Sequence, residues 1–279
     1  MKYKIIADSS CELPVELKND KRFGIIPFGL EVDGFHIVDD SQINIQQLLD
    51  RIAKSPTCAK SSCPSPQSFL DCFEKTDAEH IYIITISGKL SGCYNSAVLA
   101  KSMYEEENND KEIFVIDSSS ASCGECQIAL LAMELEEEGI TYSEITNRLE
   151  KYRDEQSTYF VLDNIETLRK NGRMSGVKAL VASTLSIKPV LAADHGTIVQ
   201  LSQAVGIKKA LTKMVDHIAK EVKEAKEKRI IITHCNNSAR AEWVKKMLQE
   251  KTEFKNYIIL SMSGLSSLYA NDGGIIVTF

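Results

Sequence analysis

HIYIITISGKLSGCYNSA, residues 80–97, is the most informative segment for predicting the fold of this chain. It opens with an apolar run, Ile81–Ile86, which has the length and composition of a buried β-strand. A loop rich in glycine and serine follows, and helix-compatible sequence comes next. A helix start after such a loop can bind an anion, because its first N–H groups lack partners and its dipole is positive there. Ser87, Ser91 and the amide of Gly92 are therefore candidate donors to a phosphate or carboxylate, with a simple helix cap at Ser91 as the alternative.

Composition and charge narrow the class of protein. The chain has 279 residues, enough for one large or two medium α/β domains, and a net charge of −6. This charge argues against binding nucleic acid, which needs a concentrated basic patch. No apolar run approaches the roughly 20 residues of a membrane span, and Met1–Asp8 breaks its apolar run too early for a signal peptide. We therefore expect a cytoplasmic protein without stable membrane insertion, and we leave a transient membrane contact open.

The eight cysteines do not indicate a disulfide framework. The cytosol keeps thiols reduced, and the sequence has no export signal. Cys123 and Cys126 have the spacing of a redox or metal-binding pair at a predicted helix start, where a lowered thiol pKa is conceivable. No second pair and no nearby histidine completes a zinc site. We expect no metal and no cofactor, and we keep a redox sensor at these two cysteines as an alternative.

Segments typical of strands alternate with segments typical of helices along the chain. The predicted strands are Lys4–Ala7, Gly24–Val32, Ile81–Ile86, Ile113–Ile116, Tyr159–Leu162, Lys188–Ala192, Thr197–Ser202, Arg229–Thr233, Tyr257–Ser261 and Gly274–Thr278. The predicted helices are Ile45–Lys54, Pro66–Lys75, Tyr94–Tyr104, Gly124–Glu138, Ser143–Gln156, Gly176–Leu185, Ile207–Ala225 and Ser238–Glu250.

This alternation predicts an α/β fold of two domains. Over residues 1–155 it indicates parallel βαβ units, which form a mainly parallel sheet with helices on both faces. Residues 156–279 contain a predicted hairpin that turns at Ala193–Gly196, so a mixed sheet is expected there. Polar, charged sequence at Glu155–Ser157 supports an exposed connection between the two domains.

Two further loops are rich in hydroxyl groups. In the first, Ser65 is explained as the cap of a helix that Pro66 opens, whereas Ser61 and Ser62 are left without a structural explanation. The second loop, Asp117–Ser120, directly follows a predicted strand. Ligands of open α/β sheets bind outside the carboxyl ends of the strands. The loops at Ser87 and Ser118 therefore predict a ligand site at one edge of the first sheet.

Several ordered motifs resemble those of the DegV family. Residues 61–66, Ser-Ser-Cys-Pro-Ser-Pro, are similar to the family's Thr-Ser-Gln-Pro-Ser loop, and residues 85–97 are similar to its Ser-Ser-x-Leu-Ser-Gly-Thr-Tyr-Gln-Ser-Ala segment. The other matching segments are Asp8–Leu13, Leu168–Ser175, Ile187–Leu191 and Asp194–Gly196. The likeness runs essentially from end to end.

The resemblance implies a two-domain α/β protein that encloses a single long-chain fatty acid between its domains. It also implies a non-catalytic role, in which the protein presents the acid to a partner fatty-acid kinase that phosphorylates the carboxylate. The family's head-group residues correspond here to Ser61, with Ser62 beside it, and to Ser91 with Gly92. Arg173 matches a surface loop implicated in kinase docking, and it is also compatible with a simple helix end at Gly172.

This sequence departs from the family pattern at several positions, modestly at Ser61 and Cys93, which both stand where the family has threonine, and more strongly at two others. Tyr269 stands where the family motif His-x-Gly-x-Gly-Gly has its histidine, so it can donate a hydrogen bond but cannot act as a cation near neutral pH. Gly206 stands where relatives have an arginine before a lysine pair. Lys60 and Lys89 flank the hydroxyls and are candidates for the missing positive charge.

A metabolic enzyme of the α/β class is the competing hypothesis. It would bind a small phosphorylated or carboxylate substrate at the same loops, with Cys93 or Asp117 performing the chemistry. No histidine or acid stands at motif spacing from Cys93, and neither a P-loop nor a dinucleotide-binding fingerprint is present. We therefore predict no catalytic residue.

Overall fold

The computed structural model describes residues 1–174 and 186–279. The strands in these ranges are β1 (Tyr3–Asp8), β2 (Phe23–Ile26), β3 (Gly29–Val32), β4 (Phe35–Val38), β5 (Lys60–Ser62), β6 (His80–Thr85), β7 (Glu112–Asp117), β8 (Thr158–Val161), β9 (Ile187–Asp194), β10 (Thr197–Val205), β11 (Arg229–His234), β12 (Asn256–Ser261) and β13 (Ile275–Thr278). The α-helices are α1 (Ile45–Lys54), α2 (Pro66–Lys75), α3 (Cys93–Glu107), α4 (Cys123–Glu137), α5 (Tyr142–Glu155), α6 (Glu166–Lys170), α7 (Ile207–Glu221), α8 (Ser238–Lys251) and α9 (Gly264–Ala270). The helix predicted for residues 176–185 lies outside the described residues.

The first sheet contains four parallel strands in the order β2-β1-β6-β7. Strand β6 is buried on both faces because helices cover both sides of the sheet. Ile81 and Ile83 belong to the core shared with α2 and α3. Tyr82 and Ile84 belong to the core shared with α4 and α5, since successive side chains of a strand point to opposite faces. The predicted parallel α/β arrangement is confirmed.

The second sheet is mixed and has six strands in the order β10-β9-β8-β13-β11-β12. Strands β9 and β10 form the predicted hairpin, and their register shifts between Gln200 and Ser202. The turn places His195 at φ 45° and Gly196 at φ 81°, as a two-residue turn between twisted antiparallel strands requires. Helices α7 and α8 pack on this sheet and share its core. The predicted mixed sheet with a hairpin is confirmed.

A third, small antiparallel sheet, β4-β3-β5, is absent from the sequence-based prediction. The single strand predicted over Gly24–Val32 is wrong, because Pro27 separates β2 of the first sheet from β3 of the small sheet. Proline has no N–H to donate to a strand partner and therefore ends β2. A turn with positive φ at Asp33 and Gly34 then joins β3 to β4.

Helix α4 lies between the two large sheets. It contacts β1 and β6 of the first sheet and β11 and β13 of the second. Its residues are therefore buried around most of its circumference, including Cys123 and Cys126. One helix from the first half of the chain thus contributes to packing against both sheets. The division into domains at residues 155 and 156 stays a prediction.

No helix within residues 1–174 and 186–279 is long and apolar enough to cross a membrane.

Candidate functional site

A cavity lies between the loops at the carboxyl ends of the first sheet, the second sheet and α9. It encloses about 840 Å³ of space, its open mouth included. Most of the wall is apolar. Its larger apolar side chains are Phe28, Ile86, Leu90, Phe160, Leu162, Leu168, Ile198, Leu265 and Ile276.

Two hydroxyls from distant parts of the sequence meet at this wall. Ser61 lies on β5 and Tyr269 lies near the end of α9. Their side-chain oxygens are 2.9 Å apart and share a hydrogen bond, although 208 residues separate them in sequence. Both side chains are half-buried and line the cavity. The structure therefore brings together two of the residues that the sequence indicated for binding a carboxylate.

Arg173 also lines the cavity, beside Tyr269. Its guanidinium carbon lies 5.6 Å from the centre of the Tyr269 ring. Its Nε donates to the carbonyl oxygen of Leu90 at 3.2 Å, and its Nη1 donates to that of Asn171 at 2.7 Å. A guanidinium stays charged at all ordinary pH values, so this end of the cavity carries a permanent positive charge. The sequence indicated Arg173 as a partner-docking residue or as part of a helix end and missed its place on the cavity wall. The docking role stays a prediction.

Lys60 and Lys89, the sequence-based candidates for this charge, are both exposed, and neither lines the cavity. The positive charge that faces the wall near Tyr269 belongs to Arg173 instead.

Ser91 lines the cavity and also orders the start of α3. Its Oγ accepts a hydrogen bond from the N–H of Cys93 at 3.2 Å. Gly92 is the residue directly before the helix, and no acceptor is paired with its N–H in the described parts of the chain. A methyl group at Gly92 would lie 3.7 Å from Sγ of Cys63, so the two serine loops are adjacent. The ligand-binding and structural interpretations of Ser91 are thus compatible.

Ser87 and Ser62 do not reach the cavity wall. The hydroxyl of Ser87 is fully buried, donates to the carbonyl oxygen of Gly196 at 2.9 Å and accepts from the N–H of Lys89. It therefore ties the loop after β6 to the hairpin of the second sheet. Ser62 is exposed, and its hydroxyl lies 3.5 Å from the carbonyl oxygen of Gly29. The sequence predicted both as ligand-binding residues, but the geometry gives neither of them access to the cavity.

The loop after β7 borders the same cavity, as the sheet-edge argument predicted. The N–H of Ser87 donates to the carbonyl oxygen of Ser120 at 2.8 Å, which joins this loop to the one after β6. Ser119 and Ser120 line the cavity. The hydroxyl of Ser120 is 2.7 Å from that of Thr158, so these two polar groups satisfy each other.

Two buried carboxyl groups hold the loops around the cavity. Asp8 accepts hydrogen bonds from the N–H of Ile86 at 2.7 Å and from the thiol of Cys93, the two residues on either side of the Ser87–Gly92 loop. Glu12 accepts from the hydroxyl of Ser122 at 2.6 Å. Burial raises the pKa of Asp8 to about 6 and the pKa of Glu12 to about 7. Both residues belong to the Asp8–Leu13 segment, which resembles a family motif. No pattern in the sequence indicated that their carboxyl groups hold the loops around the cavity.

The residues of the competing enzyme hypothesis are not arranged for catalysis. Burial raises the pKa of the Cys93 thiol well above its usual range, so the nucleophilic thiolate is disfavoured. Asp117 accepts from the N–H groups of Gly88 and Ser119 and thereby stabilises the two loops. The idea of a lowered thiol pKa in the Cys123–Cys126 pair is wrong, because burial raises the pKa of Cys123 to about 12 and that of Cys126 well above its usual range.

Fold and cavity together define an α/β protein with an apolar cavity between two sheets and hydroxyls and a guanidinium on one part of its wall. The family model described as "Uncharacterised protein, DegV family" matches residues 2–278, and this chain belongs to that family.

Similar proteins and structures cover the whole chain. A DegV domain-containing protein of Streptococcus pneumoniae is 34% identical over 284 residues, which cover 100% of this chain and 99% of that protein. The crystal structure of a DegV family protein from Ruminococcus gnavus, described with vaccenic acid, is 46% identical with a TM-score of 0.97, and the match covers 100% of this chain and 99% of that one. The structure of the Streptococcus pneumoniae Fatty Acid Kinase (Fak) B3 protein, loaded with linoleic acid, is 32% identical with a TM-score of 0.88 and the same coverage.

Proposed function

We propose that this protein binds a single long-chain fatty acid in the cavity between its sheets. The tail lies along the apolar wall, and the carboxylate lies at Ser61 and Tyr269, with Ser91 and Gly92 beside it. The observation that carries this proposal is the pair of hydroxyls, Ser61 and Tyr269, at the wall of an otherwise mainly apolar cavity. The fatty acids named for the similar structures from Ruminococcus gnavus and Streptococcus pneumoniae support it.

The head-group residues suit a carboxylate. The hydroxyls of Ser61 and Tyr269 bond to each other, and each can instead donate to a carboxylate oxygen that lies beside the pair. Hydrogen bonds to a charged acceptor are worth about 1.5–3 kcal/mol each, roughly twice the value of neutral ones. The guanidinium of Arg173 offsets the penalty for placing a negative charge at a mainly apolar wall.

The apolar wall suits the tail. Each buried methylene contributes about 0.8 kcal/mol, so a long acyl chain gains far more from the wall than the ordering of its bonds costs. A short metabolite would leave most of this wall in contact with water. The cavity therefore favours a lipid over a small phosphorylated substrate.

We infer that the protein presents the bound acid to a partner fatty-acid kinase and performs no chemistry itself. The similarity to the Fak B3 protein supports this role. The part of the cavity wall that the structure describes contains no histidine, aspartate or glutamate.

Native mass spectrometry of the protein purified from a bacterial host tests the binding proposal. We expect one fatty acid per chain, which is released on denaturation and identified in the extract. A bound phosphorylated metabolite, or a chain without lipid that also fails to take up added acid, would contradict it.

The kinase role is tested by adding a fatty-acid kinase and ATP and trapping acyl phosphate with hydroxylamine. Formation of the product only when this protein is present supports presentation, and equal formation without it argues against that role.

A further inference from the structure

Two buried carboxyl groups hold the start of helix α9, the helix that carries Tyr269. Asp39 accepts hydrogen bonds from the N–H groups of Gly264 and Leu265, both at 2.7 Å. Glu12 accepts from the N–H and the hydroxyl of Ser263, both at 3.1 Å. Asp39 itself is only 3% exposed. The first turn of α9 is therefore fixed by side chains from two distant parts of the sequence.

Helix α9 is too short to hold its position unaided. It has seven residues, and isolated helices of that length are marginal in water. Burying a carboxylate is unfavourable unless hydrogen bonds satisfy it, and the free N–H groups and positive dipole of a helix start do so for Asp39. The orientation of α9 thus depends on contacts outside the helix, and Asp39 makes the two shortest polar contacts at its start.

The same small sheet holds both ends of α9. Asp39 directly follows β4, and Ser61 lies on β5; both strands pair with β3. The start of α9 is bonded to Asp39, and Tyr269 near its end is bonded to Ser61. The helix therefore spans the small sheet, with a polar contact at each end.

Glycine at position 264 permits this close approach. A methyl group there would lie 2.4 Å from Oδ1 of Asp39 and 2.5 Å from Cδ1 of Ile43, both too close without movement. Any larger residue at position 264 would push the helix start away from Asp39.

We propose that Asp39 is a positioning residue for the head-group site: by fixing the start of α9, it places the Tyr269 hydroxyl against Ser61 before the acid arrives. This inference rests on the proposed function, because it concerns how the carboxylate is recognised. Holding a donor in its bound position in advance removes part of the ordering cost of binding. Asp39 lines no part of the cavity, so its effect on the acid is indirect, through the helix start that it holds.

The test compares two ligands with the same tail, cis-vaccenic acid and cis-vaccenyl alcohol. Asp39→Asn keeps the shape of the side chain but replaces one acceptor with an NH₂ group that faces a helix N–H. We expect about tenfold weaker binding of the acid and less than twofold weaker binding of the alcohol, since only the acid needs charge-assisted bonds. Asp40→Asn is the matched control, because Asp40 is exposed and caps only its own turn through Gln42. It should change neither affinity.

A double-mutant cycle separates positioning from general stability. If Asp39 acts through Tyr269, then Asp39→Asn should weaken acid binding by less than twofold in a Tyr269→Phe background. Independent, multiplicative losses would overturn the proposal. So would equal losses for acid and alcohol in Asp39→Asn, which would indicate only a less stable protein.

Gly264→Ala disturbs the contact between Asp39 and the start of α9 from the helix side. This variant replaces Asp39→Asn in the test if Asp39→Asn does not fold. It should reproduce the selective loss of acid binding. Unchanged acid affinity in Tyr269→Phe would overturn the proposal whether or not either variant folds. Failure of the wild-type protein to bind either ligand would refute the proposed function itself. A wild-type preference for the acid that survives in both Asp39→Asn and Gly264→Ala would refute only the positioning role.

Discussion

Adjacent serines on β5 have different surroundings, although both stand in the same motif. Ser61 lines the cavity and bonds to Tyr269, whereas Ser62 is exposed. The cause is the alternation of side chains along a strand, which sends neighbouring residues to opposite faces. A motif match gives the segment, but only the strand register decides which hydroxyl faces the cavity.

Substitution of these two serines gives a matched pair of predictions. Ser61→Ala removes a hydroxyl from the head-group site and should weaken fatty-acid binding about tenfold, as expected for the loss of one charge-assisted hydrogen bond. Ser62→Ala should leave the affinity within twofold of wild type. Isothermal titration of the delipidated proteins measures both values. Equal affinities in the two variants would show that Ser61 does not contact the carboxylate.

The buried carboxyl group of Glu12 should make stability depend on pH. Its pKa in the folded protein is about 7, above its ordinary value of 4.5, because burial disfavours the charged form. The contribution of Glu12 to the free energy of unfolding is therefore fully present below about pH 4.5, and it is lost as the pH rises through 7. Asp8 and Glu125 add to the same trend, since burial also raises their pKa values.

Glu12→Gln should remove this contribution, because glutamine cannot release a proton. Between pH 4 and pH 8, the free energy of unfolding should fall by roughly 3 kcal/mol more in wild type than in Glu12→Gln. Urea unfolding across this pH range measures the difference. Glu16→Gln, at an exposed position close by, is the control and should behave like wild type. Parallel curves for wild type and Glu12→Gln would contradict the assignment.

Helix boundaries and caps were predictable where the signal is local. Ser65 precedes α2, Pro66 opens the helix, and the Ser65 hydroxyl accepts from the N–H of Ser68 at 3.3 Å, as the sequence predicted. Helix α9 was not predicted, because seven residues with buried serines and glycine have no clear period. Its position depends on Asp39 and Glu12, more than two hundred residues earlier in the chain. No local pattern contains that information.

The cap at Ser65 provides a test that separates structure from binding. Ser65→Ala should lower the free energy of unfolding by about 1 kcal/mol, the usual value of a helix cap, and leave fatty-acid affinity unchanged. Chemical denaturation and ligand titration of the same preparation measure the two effects. Weaker binding with unchanged stability would mean that Ser65 belongs to the site instead.

The sequence-based strand prediction is wrong where one apolar run contributes strands to two different sheets. Residues 24–32 read as one strand, but Pro27 divides them between the first sheet and the small sheet. The Asp33-Gly34 turn is the sequence signal for the hairpin of β3 and β4. The long apolar runs, such as Ile81–Ile84, were predictable because burial on both faces leaves a continuous pattern.

At the scale of the whole molecule, the cavity lies where several distant parts of the fold meet. Wall residues come from the loops after β6 and β7, the face of the second sheet, the small sheet and α9. The positions of these parts depend on contacts between distant segments, such as Ser87 with Gly196. Sequence motifs indicated the two serine loops, but the apolar wall of the cavity and the place of Arg173 required the tertiary structure.

A ligand that contacts the second sheet and the loops of the first sheet should stabilise the entire fold. Fatty acid at a hundred times its Kd should add about 2.7 kcal/mol to the free energy of unfolding. For a chain of this size we expect a rise in Tm of several degrees, measured by calorimetry on delipidated protein. A short carboxylate such as butyrate, at the same concentration, should give no shift. A shift with butyrate equal to that with the long acid would mean that the tail contributes nothing.

A crystal structure of the protein with cis-vaccenic acid examines the head-group assignment directly. We predict one acid per chain, with a carboxylate oxygen within about 3 Å of Ser61 Oγ and of the Tyr269 hydroxyl, and with the tail against Phe160 and Ile276. A carboxylate found instead near Ser119 and Thr158, or an acid bound outside the cavity, would contradict it.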